Sequence, residues 1–150
     1  MMRLFSEMSS ADRYESSGTV AVLPLGSLEA HGPHLPLGTD GYIVEGLLDS
    51  VASHLLNQDV TVLRLPLLWL GASEEHLGTP GTLSLSGEQI IATLTALGEG
   101  LAVTGVSRLL FFNGHGGNIA GWCVPGDEWE WLMIAEDENQ GVTFKSLDQK

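Results

Sequence analysis

The sequence predicts a single α/β domain built on a mainly parallel sheet, with helices covering both faces of that sheet. Three apolar runs are typical of strands, and two segments with helical spacing separate them, so the order is strand, helix, strand, helix, strand. Such alternation favours right-handed crossovers between parallel strands. The chain has 150 residues, of which 43% are hydrophobic, and this is enough to form one sizeable core.

The first half of the chain supplies two of the strands and one helix. Residues 1–17 predict an irregular polar segment with room for one short helix. Residues 19–25 form a continuous run rich in Val and Leu, which is typical of a strand buried on both faces. Residues 41–57 carry apolar side chains at helical spacing, and we expect this helix to stop at Asn57. Residues 60–65 predict a second buried strand.

The second half supplies one further helix and one further strand. Residues 66–85 form a long loop, and loops of this length inside compact domains are usually functional. A serine followed three residues later by a glutamine has the form of a capping box and predicts a helix over residues 86–102. Residues 108–112 predict the third strand, which leads directly into the glycine-rich segment 113–118. Because open parallel sheets place their sites beyond the carboxyl ends of the strands, we expect this segment to meet the loop after the first strand.

The last part of the chain, residues 119–150, differs in composition from the rest. It contains seven acidic residues and two lysines, with three tryptophans crowded near Pro125 and Gly126. Its weak periodicity predicts neither helix nor strand. We therefore divide the chain into an α/β domain over residues 1–118 and a divergent acidic tail over residues 119–150.

The composition excludes several classes of protein. The formal charge is -13 with only six Lys plus Arg, so nucleic acid and anionic membrane surfaces are poor partners. No segment approaches the roughly 18 apolar residues of a membrane span, and residues 1–15 carry no apolar signal segment. Cys123 is the only cysteine, which excludes an intrachain disulfide and favours a reducing compartment. We expect a soluble, cytoplasmic protein.

Two loops contain the residue types that bind divalent metals. Residues 26–40 are Gly-Ser-Leu-Glu-Ala-His-Gly-Pro-His-Leu-Pro-Leu-Gly-Thr-Asp, and residues 113–118 are Asn-Gly-His-Gly-Gly-Asn. Glu29 and His31 are two residues apart, so in an extended loop both side chains point the same way. The Gly-Pro turn then brings back Asp40, whose two oxygens can serve two ions. Mixed oxygen and nitrogen ligands without thiolate suit Zn²⁺, Mn²⁺ or Fe²⁺, and hydrolysis is the commonest chemistry of such sites.

Other histidines and other chemistries stay open at this point. His34 is a ligand, a donor to a ligand or a packed loop residue, and the last two are favoured. His54 is expected on a helix surface, whereas His76 either borders a substrate pocket or is an ordinary loop residue. The glycines around His115 also suit phosphate, but the loop lacks the Lys and Ser/Thr of a P-loop. Cys123 has no basic activator beside it and is interpreted as a packed thiol.

At these residues the chain resembles the creatininase family of amidohydrolases. The resemblance rests on residues 26–40, on Ser73-x-x-His76 followed by Pro-Gly-Thr, and on residues 113–118. It covers approximately residues 18–120. It implies a three-layer αβα fold, a binuclear zinc or manganese site and a hexameric enzyme. Family members cleave non-peptide carbon–nitrogen bonds in small cyclic or linear amides, and some relatives act as peptidases in cofactor maturation.

The resemblance also implies roles for individual residues. Glu29 and His115 would hold one ion and His31 the other, and Asp40 would bridge the two. Ser73 matches a position near substrate, and the histidine three residues later is expected to bind substrate beside it. No catalytic residue is assigned beyond these ligands, and the cofactors expected are two divalent metal ions.

The chain departs from the family pattern after the second loop. Creatininase proper carries a metal-binding glutamate two residues after the histidine of that loop, where this chain has Gly117. Relatives with two glycines there take a carboxylate from a downstream segment that this chain lacks. Residues 119–150 do not resemble the family, and the spacing of Glu128 and Glu130 does not favour either of them as the missing ligand.

Two hypotheses for function follow from this comparison. The first is a metal-dependent amidohydrolase that acts on a small amide. The second is a catalytically impaired family member that acts as a structural or interacting subunit. For both, an unpaired sheet edge and an apolar face predict self-association, so we expect a homo-oligomer.

Overall fold

The computed structural model describes residues 1–14, 18–56, 59–121, 132–137 and 141–146, with side chains as far as residue 118. Its centre is a four-stranded sheet in which every neighbouring pair of strands is parallel. The order of the strands is β1-β3-β2-β4. They are β1 (Met2–Leu4), β2 (Thr19–Leu25), β3 (Thr61–Arg64) and β4 (Leu109–Asn113). The predicted parallel sheet is confirmed.

Two helices cover opposite faces of this sheet, α1 over Thr39–His54 and α2 over Gly87–Val103. Successive residues of a strand face opposite layers, as the pleat requires. Val22 of β2 packs in one apolar cluster with Val44 of α1. Its neighbour Leu23 belongs to a second cluster that contains the buried face of α2. The predicted three-layer αβα arrangement is therefore confirmed.

Helix α2 begins where the sequence predicts. The hydroxyl oxygen of Ser86 accepts a hydrogen bond from the backbone N–H of Gln89 (3.3 Å), and Gln89 Oε1 accepts one from the backbone N–H of Ser86 (2.9 Å). This reciprocal pair is a capping box, and it satisfies N–H groups that the start of a helix leaves unpaired. In the described ranges, neither α1 nor α2 combines the length and the apolarity needed to cross a membrane.

Helix α1 begins at Thr39, two residues before the predicted start at residue 41. Apolar periodicity marks only the part of a helix that packs on the sheet, so it misses a polar first turn. Asp40 therefore lies inside the helix rather than in the preceding loop, at the end where the helix dipole favours a carboxylate. The helix ends three residues before Asn57, the predicted stop, which itself lies outside the described residues.

The sequence predicts an irregular segment over residues 1–17, and this prediction is wrong for β1. Arg3 of β1 lies opposite Leu63 of β3 in a parallel register. A strand of three residues is too short to show an alternating pattern, and the partner that stabilises it is 60 residues away in the sequence. The expected short helix is present as a 3₁₀ turn over Phe5–Glu7.

The segment that follows the αβα domain contains a second, two-stranded sheet. Strands β5 (Leu132–Asp137) and β6 (Gly141–Ser146) pair in antiparallel register, although the sequence predicts no element there. The predictions for Cys123, Glu128 and Glu130 lie outside the described residues. The boundary between domain and tail stays a prediction, as does self-association through the edge of the four-stranded sheet.

Replacing Leu63 with Ala is expected to destabilise the protein strongly, because Leu63 is fully buried in the cluster beneath α2. Such a truncation in a packed core costs about 2–5 kcal/mol. The matched control is Leu56→Ala, since Leu56 is 72% exposed and its loss should change the free energy of unfolding by less than about 0.5 kcal/mol. Urea unfolding followed by circular dichroism measures both variants, and equal losses would contradict the described core.

Candidate metal centre

Three loops meet beyond the carboxyl ends of β2, β3 and β4, as predicted for a parallel sheet. Backbone hydrogen bonds hold them together. The N–H of Gly26 after β2 donates to the carbonyl of Leu68 after β3 (3.0 Å), and the N–H of Gly114 after β4 donates to the carbonyl of Leu25 (2.9 Å). Side chains that are far apart in the sequence are thereby brought to one edge of the sheet.

Glu29 lies in the loop after β2 with its side chain buried. Its backbone N–H donates to the carbonyl of Leu37 (3.1 Å), and the adjacent Leu28 forms an antiparallel bridge with Leu83. The Oε1 atom is 3.7 Å from Nε2 of His31. The Oε2 atom is buried and has no hydrogen-bond partner among the described residues. A buried charged oxygen without a partner is unfavourable, so this atom is suited to a cation.

His31 is oriented by the backbone of its own loop. Its Nδ1 lies 3.1 Å from the carbonyl oxygen of Glu29, and because a carbonyl only accepts, this nitrogen is the donor. Its Nε2 lies 3.0 Å from Oδ1 of Asp40. An imidazole tied to a carbonyl through one nitrogen and facing carboxylates with the other is arranged as metal-binding histidines are.

Asp40, in the first turn of α1, lies between two imidazoles. Its Oδ1 is 3.0 Å from Nε2 of His31, and its Oδ2 is 3.1 Å from Nδ1 of His115. The hydroxyl of Ser27 also donates to Oδ2 (2.5 Å). Burial opposes ionisation of this carboxyl, but the hydrogen bonds from His115 and Ser27 outweigh it and hold the pKa of Asp40 below its ordinary value.

His115 follows β4 and is almost fully buried. Its Nε2 lies 2.8 Å from the carbonyl oxygen of Ala72, 3.3 Å from the hydroxyl of Ser73 and 3.4 Å from Oε2 of Glu29. Burial favours the neutral ring, but the hydrogen bonds to Asp40 and to the Ala72 carbonyl outweigh burial and raise the pKa of His115. A metal ion would compete with that proton for the ring.

Two asparagines that the sequence reasoning did not single out fix the second loop. Asn118 accepts a hydrogen bond from the N–H of Ala72 (2.9 Å) and donates to Oδ1 of Asn113 (2.9 Å) and to the carbonyl of Gly26 (3.3 Å). Asn113 in turn donates to the carbonyl of His115 (2.7 Å). In the sequence, their positions on either side of the Gly-His-Gly-Gly run were the only indication that these two asparagines shape the loop.

The donor set fits a divalent ion. Ligand atoms of Glu29, His31 and Asp40 all lie within 4.8 Å of one another. His115 contacts the second oxygen of each carboxylate. Its Nε2 is 3.4 Å from Oε2 of Glu29, and its Nδ1 is 3.1 Å from Oδ2 of Asp40. The structure therefore brings together all four predicted ligands, which are carboxylates and imidazoles of the kind that zinc and manganese accept. The buried Oε2 of Glu29 without a hydrogen bond is the atom that a cation would satisfy.

The two residues predicted to bind substrate lie differently with respect to this centre. Ser73 is completely buried, and its hydroxyl contacts His115. His76 lies at the margin, with Nε2 3.9 Å from Oε1 of Glu29 and 43% of its side chain exposed. Of the remaining histidines, His54 is on the surface of α1 as predicted, and His34 is exposed rather than packed.

Gly117 occupies a position with no room for a side chain. A Cβ built there would collide with the carbonyl oxygen of Ala72 and would lie 2.5 Å from Nε2 of His115. A larger residue would therefore require the two loops to separate. The position that carries a glutamate in creatininase proper is therefore one where this chain has no room for any side chain.

Comparisons with known proteins agree with the fold and with the family resemblance. The creatininase family model, described as creatinine amidohydrolase, matches residues 6–125. The mycofactocin precursor peptide peptidase of Mycobacterium tuberculosis (strain CDC 1551 / Oshkosh) is 35% identical over 144 residues. The match covers 80% of this chain and 57% of that protein, so the chain spans little more than half the length of this curated relative.

Solved creatininases share the αβα architecture. A mutant creatininase of Zn–Zn type has a TM-score of 0.68 at 27% identity, covering 79% of this chain and 47% of that chain. A structure named creatininase Mn has a TM-score of 0.60 at 28% identity, covering 70% of this chain and 41% of that chain. Both similarities therefore extend over most of this chain and less than half of the solved one.

Replacing Gly117 with Ala is expected to disturb the centre, whereas Gly116→Ala is not. A Cβ at Gly117 meets Ala72 and His115, while a Cβ at Gly116 meets no atom within 4 Å. Overpacking of this kind costs about 1–3 kcal/mol. Urea unfolding of the two variants measures the difference, and a Gly117→Ala protein as stable as Gly116→Ala would show that the loop can move aside freely.

Proposed function

The chain belongs to the creatininase family, and we propose on that premise that it is a metal-dependent amidohydrolase. The proposed reaction is hydrolysis of a non-peptide carbon–nitrogen bond in a small cyclic or linear amide. The observation that carries the proposal is the buried Oε2 of Glu29, which faces His115 without a hydrogen bond. Two neighbouring buried carboxylates with imidazoles on either side favour a divalent cation over a purely structural cluster.

The proposed centre holds two ions, zinc or manganese, because the similar creatininase structures are described with these metals. One ion would be held by Glu29, His31 and Asp40, whose ligand atoms form one compact group. The other would be held by one ring nitrogen of His115 together with a carboxylate beside it, since Nε2 of this ring faces Glu29 and Nδ1 faces Asp40. The family resemblance assigns Glu29 to the ion that His115 binds and not to the ion that His31 binds. In this structure each carboxylate oxygen of Glu29 faces a different one of these two histidines.

Bound divalent ions would polarise an amide carbonyl and lower the pKa of water, which is the chemistry that hydrolysis requires. The residues of the chain prepare this centre by fixing its ligands. Ser27 and the two imidazoles restrain both oxygens of Asp40. The carbonyl of Glu29 directs Nε2 of His31 inward. Such supporting hydrogen bonds set the orientation and the basicity of metal ligands.

Substrate would approach from the side of His76. This histidine is half-exposed at the margin of the centre and close to Glu29, so its ring can donate or accept a hydrogen bond at a polar amide group. Ser73 is buried against His115, and we assign it the role of holding that imidazole. We propose a small amide as the substrate. A peptide is the alternative substrate to test, because the chain is similar to a peptide peptidase.

One observation favours a second function. Gly117 replaces the glutamate of creatininase proper, and the loop leaves no space for a side chain there. A centre that binds metal incompletely would suit a family member that acts as a structural or interacting subunit. The predicted homo-oligomer is compatible with both functions.

Replacing His115 with Ala is expected to lower the metal content of the protein from two ions per chain. The control is His54→Ala, because His54 is exposed at the end of α1, roughly 20 Å along the helix from Asp40. Elemental analysis of protein purified without chelator and reloaded with Zn²⁺ or Mn²⁺ measures the content. Two ions in the His54 variant and fewer in the His115 variant support the centre. No ion in the unsubstituted protein would overturn it.

The metal-loaded protein is expected to hydrolyse a small amide, releasing an amine from a linear amide or opening the ring of a cyclic one, and to lose this activity in chelator. The panel consists of creatinine, a formamide and a short unmodified peptide, with product followed by mass spectrometry. The His76→Ala variant should retain its metal but show a higher KM, because His76 lies at the margin. A protein that binds two ions and hydrolyses nothing on the panel would favour the structural-subunit hypothesis.

A further inference from the structure

The carboxylate of Glu75 lies close to Gly117, on the side of that glycine where His115 also lies. Its Oε1 lies 3.1 Å from the point where a Cβ of Gly117 would be, and Nε2 of His115 lies 2.5 Å from the same point. The carboxylate of Glu75 therefore lies in the neighbourhood of the His115 ring, whose Nε2 also faces Oε2 of Glu29.

The backbone that carries Glu75 is attached to His115. Glu75 is in the 3₁₀ turn Glu74–His76, which follows Ala72 and Ser73. The carbonyl oxygen of Ala72 and the hydroxyl of Ser73 lie 2.8 Å and 3.3 Å from Nε2 of His115. The turn is closed by a hydrogen bond from the N–H of His76 to the carbonyl of Ser73 (3.0 Å). The position of Glu75 thus depends on the same contacts that orient the imidazole.

The two glutamates near His115 differ in burial, since Glu29 is buried and Glu75 is exposed. Oε2 of Glu29 is buried and unpartnered. For Glu75, no hydrogen bond or ion pair forms within the part of the chain that the structure describes. A divalent cation held by His115 would pair with the buried oxygen of Glu29, and the exposed carboxylate of Glu75 would supply a further negative charge near it.

We propose that Glu75 is a ligand of the metal centre and completes the ion site on the His115 side. This inference rests on the proposed function, since it assumes that the centre binds two ions. Two divalent ions carry four positive charges, and the buried carboxylates Glu29 and Asp40 balance only half of them. A third carboxylate, from Glu75, would bring the charge closer to balance. It would do so on the His115 side, where His115 is otherwise the only ligand that the two ions do not share.

The test compares Glu75→Gln with Glu74→Gln. Glu74 is the adjacent residue in the same turn, also exposed and of the same charge, so it controls for net charge and for substitution in this turn. Equilibrium dialysis against Zn²⁺, with elemental analysis of the dialysed protein, gives the number of ions bound and the Kd of each site. Circular dichroism confirms that both variants are folded.

The expected result is two ions in the unsubstituted protein and in Glu74→Gln. Glu75→Gln should retain one ion and bind the other at least about 10-fold more weakly, since even outer partners of metal ligands change affinity by 10–100-fold. Two ions bound with unchanged Kd in Glu75→Gln would overturn this inference while leaving the proposed function standing. An unsubstituted protein that binds no ion would overturn both.

Discussion

The burial of the Asp40 carboxylate between two histidines is the interaction on which the rest of the site depends. A buried carboxylate must be paired to be tolerated, and the partners of Asp40 come from different parts of the chain, His31 after β2 and His115 after β4. The other nitrogen of each ring faces a backbone carbonyl, that of Glu29 or that of Ala72. The Asp40 carboxylate therefore connects the first turn of α1 to two loops and fixes the orientation of the His31 and His115 rings.

Close backbone approach makes this arrangement possible. A Cβ at Gly26 would lie 2.9 Å from Cα of Gly41 in α1, and a Cβ at Gly114 would lie 2.9 Å from the carbonyl oxygen of Asp40. Either side chain would push α1 away from the sheet and carry Asp40 away from the histidines. The geometry of the candidate centre is thus set by how closely the helix and the two loops pack, and the side chains complete it.

Backbone packing also limits which residues can supply a carboxylate to the candidate centre. Since Gly117 leaves no space for a side chain, a further carboxylate on the His115 side would have to come from another segment, and the turn after Ser73 is held there by contacts with His115. The number of carboxylates determines how many divalent cations the centre can balance. In the proposed centre, the charge on the His115 side would therefore determine whether a second ion binds.

The sequence by itself determined the αβα class, the buried run of β2, the capping box of α2 and the four metal-type side chains, because each of these is a local pattern or a residue type. Tertiary structure decided what depends on distant partners. Strand β1 forms because it pairs with the edge of β3. Asp40 meets its histidine partners because the first turn of α1 packs closely against the loops after β2 and β4. Asn118 and Glu75 acquire their positions only when the loops meet. Contacts between segments tens of residues apart leave no periodic trace in the chain, so only the folded structure reveals them.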